Sequence, residues 1–199
     1  MPPIIVATGN LGKLREIGQI LSGLPVVLTS LRDHWSPVPD IPEDGETFQE
    51  NAYAKADWVF SRKHVWTLAD DSGLEVDALS GAPGVRSARY AGEGCSDADN
   101  VAKLLGILRE MPLERRTARF RCVMVLRTGS DSSIVAEGTC EGTIGFEARG
   151  TDGFGYDPLF VPDGFDKTFA QLDSSAKNAI SHRGKALAQL KARLLSVLP

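Results

Sequence analysis

Several things are scarce in this sequence, and each scarcity closes off a class of protein. There are three cysteines, Cys95, Cys122 and Cys140, an odd number with no metal-ligand spacing, which argues against a disulfide framework or a cysteine zinc site. No apolar run approaches the ~20 residues that a membrane-spanning helix requires. The opening MPPIIVATGN lacks a basic region followed by an apolar core, and from the cysteine usage a reduced, cytoplasmic compartment is expected. Internal repeats and low-complexity tracts are absent. Net charge is only −4, so nothing global invites nucleic acid.

What remains is ordinary globular composition. With 199 residues, 42% hydrophobic and 24% charged, the chain can build one domain, with or without a second lobe, around a real core. Its charge is uneven. Lys177, Arg183, Lys185, Lys191 and Arg193 fall in a C-terminal stretch without acidic residues, and Arg115, Arg116, Arg119, Arg121 and Arg127 crowd another. Against them stand Asp40, Glu43, Asp44, Glu46, Glu50, Asp70 and Asp71. Such regions either meet around a polyanion and its metal or form solvated faces.

Ile4 to Ala7 reads as a strand, broken by Thr8-Gly9-Asn10. A helical face follows at Leu14, Ile17 and Leu21, with Asn10 as cap and Gly23 and Pro25 closing it. The turn thus lies at the carboxyl end of a strand, where open α/β sheets bind ligands. After a loop marked by Pro37, Pro39 and Pro42, Thr47 and Glu50 form a capping box. Phe48, Ala52, Ala56, Val59 and Phe60 give the next helix its apolar stripe. Val65 to Ala69 reads as a strand ending at Asp70 and Asp71. Asp97 to Leu108 is helical, and 119–126 with 134–144 form a hairpin. A glycine-rich loop, GTDGFGYDP, precedes a last helix with Leu187, Leu190 and Leu194 on one side and Ser181 as cap.

Four clusters could do chemistry. Adjacent carboxylates cost energy unless a cation neutralises them, although Asp, Ser and Gly are also common in turns. Neighbouring strand residues face opposite ways, so one aspartate needs a partner from elsewhere, and Glu43 and Glu46 are the candidates. One or two carboxylates, completed by water and phosphate, suit Mg²⁺. The TGNLGK turn offers Thr8, Asn10, two glycines and Lys13 at a helix start, an anion site that is not the P-loop pattern. Phe154 and Tyr156 either pack inward or stack on a nucleobase, each stack contributing about 1–3 kcal/mol. His182 and Arg183 stand at the start of the last helix. Together these describe a base platform, a phosphate cradle, metal carboxylates and a cationic clamp.

The segments ATGNLGKLREI, GETFQENAYAKA, LADDSGLEVDALSGAPGVRSARYAG, GTDGFGYDPLF and KNAISHRGKAL, in that order, resemble the Ham1/inosine triphosphate pyrophosphatase family. The likeness runs from residue 4 to about residue 195. It implies an α/β fold with an elongated mixed β-sheet flanked by helices, two lobes around a central substrate cleft, and one pyrophosphatase domain over 1–199. It also implies a homodimer, and hydrolysis of ITP, dITP and XTP to monophosphate and pyrophosphate with Mg²⁺, without nucleic acid or membrane as partner. By position, Thr8, Gly9, Asn10, Leu11, Gly12 and Lys13 bind the triphosphate. By the same resemblance, Glu43 and Asp71 would hold the metal, and Asp71 would accept the proton of the attacking water. Ser72 and Lys55 contact substrate, while Phe154, Gly155, Tyr156, Asp157, Lys177, His182 and Arg183 bind nucleoside and base.

The sequence departs from the family pattern at Arg86, where Tyr is frequent, at Gln171, where Glu is common, and at Ala176, again in place of Glu. None of these is a proposed ligand. Two rival readings remain at this stage. One is a nucleotide pyrophosphatase with another base preference, and the other a non-catalytic nucleotide or RNA-binding module using the arginine-rich strand.

Overall fold

Ile4, Ile5 and Val6 are buried and β-branched, and they make β1 (Pro3–Val6) an interior strand. The computed structural model, which describes residues 1–196, pairs it in parallel with β2 (Val27–Ser30) on one side and β3 (Trp66–Val76) on the other. Ile5 lies opposite Thr29 in one pairing and Thr67 in the other. Parallel neighbours need crossovers, and the helices α1 (Leu11–Ile20) and α2 (Phe48–Lys63) lie in the connecting segments. Both start as the sequence predicts. Asn10 accepts from the Lys13 N–H at 3.0 Å, and Thr47 and Glu50 form a reciprocal capping box.

The strand predicted to stop at Asp70 and Asp71 instead continues through Ser72 and Gly73 to Val76. Its neighbour β4 (Thr117–Arg127) also has 11 residues, so a partner is at hand for a turn-prone sequence to stay extended. A short connection, in which the Thr128 N–H donates to the Ser132 carbonyl, joins β4 to β5 (Ser133–Ile144) as the expected hairpin. β6 (Phe160–Pro162) pairs antiparallel with β5 and completes a mixed sheet of order β2-β1-β3-β4-β5-β6. The fold is α/β, a mixed sheet with helices, as expected.

The chain divides into two compact units. The first comprises residues 1–71, 122–138 and the segment from Arg183 onward. Its core joins Ile4, Val6, Ile17 and Leu68 to Leu187, Leu190 and Leu194 of α5 (His182–Leu195). Burying each such side chain stabilises by roughly 1.5–3 kcal/mol. The second unit, 72–121 with 139–182, is built around Leu74, Leu104, Phe120, Phe160 and Phe169. It includes α3 (Asp97–Ile107), capped reciprocally by Ser96 and Asp99, and α4 (Ser174–Ile180). Ser181, with extended φ/ψ, separates α4 from α5 and directly precedes the latter. Among the described residues no helix is long and apolar enough to cross a membrane.

Candidate active site

The parallel pairing of β1 with β3 determines what surrounds the two aspartates. The register pairs Val6 with Leu68, and the Ala7 N–H donates to the Leu68 carbonyl at 2.7 Å. Two residues beyond that pair stand Thr8, after β1, and Asp70, on β3. The turn after β1 therefore delivers Lys13 beside Asp70, with Nζ 3.0 Å from Oδ2. Arg183 Nη2 reaches the same oxygen at 3.3 Å, while Nη1 donates to Glu16 of α1. Asp70 and Arg183 are each 1% exposed. Burial would raise the Asp70 pKa, but Lys13 and then Arg183 outweigh it and hold the carboxyl well below the usual range. Burial would likewise lower that of Arg183, and Asp70 and Glu16 keep it raised.

Asp71, on the opposite face of the strand, has a separate set of partners. Lys55 Nζ stands 3.2 Å from Asp71 Oδ1 and 2.7 Å from Glu43 Oε1, joining the two carboxylates. Asn51 donates to Asp71 Oδ2 at 3.1 Å. Burial pushes the Asp71 carboxyl up, despite the opposing pull of Lys55. For Lys55, burial pulls down, but Asp71 and Glu43 leave it raised. Direct hydrogen bonds thus divide the adjacent carboxylates between two clusters, although Lys55 also pulls Asp70 down and Lys13 also pulls Asp71 down. Glu46, the alternative partner, is exposed, and its N–H donates to Glu50.

The Glu43–Asp71 pair fits a hard divalent cation. Both residues offer carboxylate oxygens, and one ammonium already sits within hydrogen-bond reach of both. Among the described residues no cluster of three or more His, Cys, Asp or Glu could hold a metal by itself. Two carboxylates with the rest of the shell left to water and phosphate is the donor set Mg²⁺ accepts, whereas Zn²⁺ favours nitrogen and sulfur.

In the second unit the glycine-rich loop is drawn around Asp157, which is buried. Its Oδ2 accepts from the Phe154 N–H at 3.0 Å and from Lys177 Nζ at 2.6 Å. Gly153 has φ +80°, and a Cβ there would lie 2.1 Å from Asp157 Oδ2, so this position requires glycine. Lys177 Nζ stands 5.1 Å from the centre of the half-buried Phe154 ring and 5.6 Å from Phe169. Gly155 N–H donates to Asp97 at 2.7 Å. Of the two loop aromatics, only Phe154 keeps partial exposure. Tyr156 is buried, its hydroxyl donating to the Ser87 carbonyl at 2.9 Å. Of the two readings of that ring, inward packing is the one this structure displays, in the apolar core of the unit.

His182 is buried and stacks on Phe120 at 4.7 Å with an interplanar angle of 12°. Arg183, expected to meet the base, is committed in this structure to Glu16 and Asp70. Ser72 follows Asp71 on β3, half-buried. Thr8, Gly9, Asn10, Leu11 and Gly12 form the partly exposed turn and first residues of α1, where the Asn10 N–H donates to Thr8 Oγ1 at 3.1 Å. The arginine-rich strand is matched by carboxylates. Arg119 pairs with Asp77 and Glu141, Arg121 with Glu75 and Arg127 with Asp57, while the buried Arg116 donates to three backbone carbonyls.

Sequence reasoning passed over Asn51, Glu16, Asp97, Phe120 and Phe169. A signal existed for two of them. Asn51 and Lys55 are polar residues spaced i, i+4 among the apolar positions Phe48, Ala52, Ala56 and Val59 of α2, and Glu16 lies three residues after Lys13 on α1.

The Ham1 family model matches residues 4–193. A dITP/XTP pyrophosphatase of Geobacter sulfurreducens is 52% identical over 194 residues, covering 98% of this chain and 97% of its own. One from Desulfotalea psychrophila is 47% identical over 198 residues, covering 100% of this chain and 87% of its own. Among solved structures, a HAM1 protein from Coxiella burnetii superposes with a TM-score of 0.89 at 41% identity, over 99% of this chain and 100% of its own. A nucleoside-triphosphatase / dITP/XTP pyrophosphatase from Mycobacterium abscessus gives 0.75 at 44% identity, over 94% and 98%.

Proposed function

The chain belongs to the Ham1 family, and from that premise we propose that it hydrolyses non-standard purine nucleoside triphosphates, ITP, dITP and XTP, to the monophosphate and pyrophosphate. The observation that carries the chemistry is the convergence of Glu43 and Asp71 on one ammonium. These carboxylates would hold Mg²⁺, which when bound would supply a Lewis acid for the phosphate oxygens. Asp71 orients a water and takes its proton as the water oxygen bonds to the α-phosphorus. The bond from that phosphorus to the bridging oxygen breaks, and pyrophosphate leaves with the electron pair. Lys13 and the N–H groups at the start of α1 receive the negative charge of the phosphates. Lys55 adds positive charge beside Asp71, and the adjacent Ser72 hydroxyl contacts the substrate.

Base selection rests on a donor-only group. Lys177 can donate but not accept, so it matches the 6-keto oxygen of hypoxanthine or xanthine and leaves the 6-amino group of adenine without a partner. Such a mismatch discriminates strongly because it strands buried polar groups. Phe154 supplies the apolar face, Asp157 steadies Lys177 and the loop, and His182 lines the base side. The same reading includes one pyrophosphatase domain, a homodimer and a cytoplasmic location, with neither nucleic acid nor membrane as partner. Light scattering tests the dimer.

Hydrolysis in ¹⁸O-labelled water tests the reaction. Label in the monophosphate, with pyrophosphate unlabelled, is expected. Label in pyrophosphate, or release of single phosphate, would place the attack elsewhere and overturn the assignment.

A further inference from the structure

We infer that Asn51 is a positioning residue of this reaction, tying the loop that carries Glu43 to the carboxylate of Asp71 and thereby setting the geometry of the two metal-binding carboxylates. The inference rests on the function proposed above. Asn51 is fully buried at 0% exposure. Its Oδ1 accepts from the Gly45 N–H at 2.8 Å, and its Nδ2 donates to Asp71 Oδ2 at 3.1 Å. The Gly45 donor determines which end of the amide is oxygen, so the NH₂ group necessarily faces Asp71.

The surrounding contacts make this link stiff. Glu50 Oε2 accepts from the Glu46 N–H at 2.8 Å and the Thr47 N–H at 3.1 Å. The backbone donors of 45, 46 and 47 are therefore all fixed to the first turns of α2, two residues after Glu43. Gly45 is pressed against the link, since a Cβ there would lie 2.8 Å from Asn51 Oδ1. With Oδ2 of Asp71 occupied by Asn51, its Oδ1 is the oxygen turned toward Lys55 and, through it, Glu43.

No other side chain performs both tasks. Aspartate keeps the acceptor for Gly45 but sets a second carboxylate against Asp71. Alanine leaves the Gly45 N–H and one Asp71 oxygen without these partners. Glutamine adds a methylene at a site with no exposed surface. Groups that orient metal-binding carboxylates typically govern about 10- to 100-fold in metal affinity or activity.

The test compares wild type, Asn51→Ala and Gly45→Ala, each shown to melt cooperatively. Free Mn²⁺ is titrated with each protein and followed by its electron paramagnetic resonance signal, and kcat and KM are measured for dITP with Mg²⁺. A purely structural role lowers the folded fraction but not the Mn²⁺ dissociation constant of the folded molecules. Both variants are expected to bind Mn²⁺ about tenfold more weakly or worse, with kcat reduced and KM nearly unchanged. Should Asn51→Ala not fold, Gly45→Ala, which attacks the link from its other end, decides alone. Unchanged Mn²⁺ affinity overturns the inference, as does a rise in KM alone. A wild type that ignores Mn²⁺ overturns it too. A wild type that binds Mn²⁺ but releases no pyrophosphate overturns the functional reading instead, and the Mn²⁺ comparison still decides the part played by Asn51.

Discussion

Replacing Asp70 and Asp71 one at a time should give opposite phenotypes, although the residues are adjacent. Asp70→Asn removes the single carboxylate oxygen that lies 3.0 Å from Lys13 and 3.3 Å from Arg183. Breaking a buried ion pair from one side typically costs about 3–5 kcal/mol, because a charge is left without compensation. Arg183 retains Glu16, and the Lys13 side chain is 14% exposed, so the lower end of that range applies. In a domain of this size each kcal/mol shifts Tm by about 2–4 °C, which puts the expected loss at roughly 6–12 °C. Asp71→Asn removes a charge that burial disfavours, and Lys55 retains Glu43, so Tm should move by less than about 3 °C. Turnover should nevertheless vanish. Differential scanning calorimetry, repeated by urea unfolding, measures both. An Asp70→Asn variant melting within about 2 °C of wild type would refute the reasoning, as would an equal loss for Asp71→Asn.

Acid should expose the same ion pair. Asp70 stays ionised in the folded chain well below its unfolded value of 3.8, so in that window the unfolded chain holds more protons. Its contribution is complete above the unfolded value and is lost as pH falls toward the native one. The drop in Tm between pH 5 and pH 3 should therefore be steeper for wild type than for Asp70→Asn, and parallel curves would contradict this. Burial pushes the Cys122 thiol up to about 12, and Cys140 is also buried. A disulfide-exchange reagent should find one reactive thiol, Cys95, in the native protein and all three in denaturant. A second native thiol reacting at the same rate would place Cys122 or Cys140 outside the core.

Local signals were readable wherever a rule acts within one turn of chain. Asn10, Thr47 and Glu50 announce their helices because caps involve residues three apart. Alternation along a strand was enough to separate Asp70 from Asp71, and in the structure Lys13 and Arg183 touch the first while Lys55 touches the second. What could not be read depends on distant chain. Arg183 meets Asp70 across 113 residues and Glu16 across 167, and no periodicity reports such a pairing. The same holds for the length of β3, where Asp, Ser and Gly are turn-forming by habit and a long neighbouring strand keeps them extended. Tyr156 sits between glycines in a loop, yet its ring enters the core, because the Ser87 carbonyl is there to accept its hydroxyl. The signal of Asn51 is faint for a different reason. A polar residue in an apolar stripe looks like noise until the strand facing it is known.

The proposed reaction is Mg²⁺-dependent pyrophosphate release, with the hydrolysis at Asp71 and the preference for 6-keto over 6-amino purines at Lys177. Its most direct test is pyrophosphate release from ITP, dITP, XTP, ATP, GTP and dUTP, with wild type and Asp71→Asn side by side. Strong release from the first three with wild type, little from ATP and dUTP, and none from any with the variant is expected, while GTP, which shares the 6-keto oxygen, reports whether the 2-amino group is read as well. Equal release from ATP and ITP, or an Asp71→Asn variant as active as wild type, would contradict it.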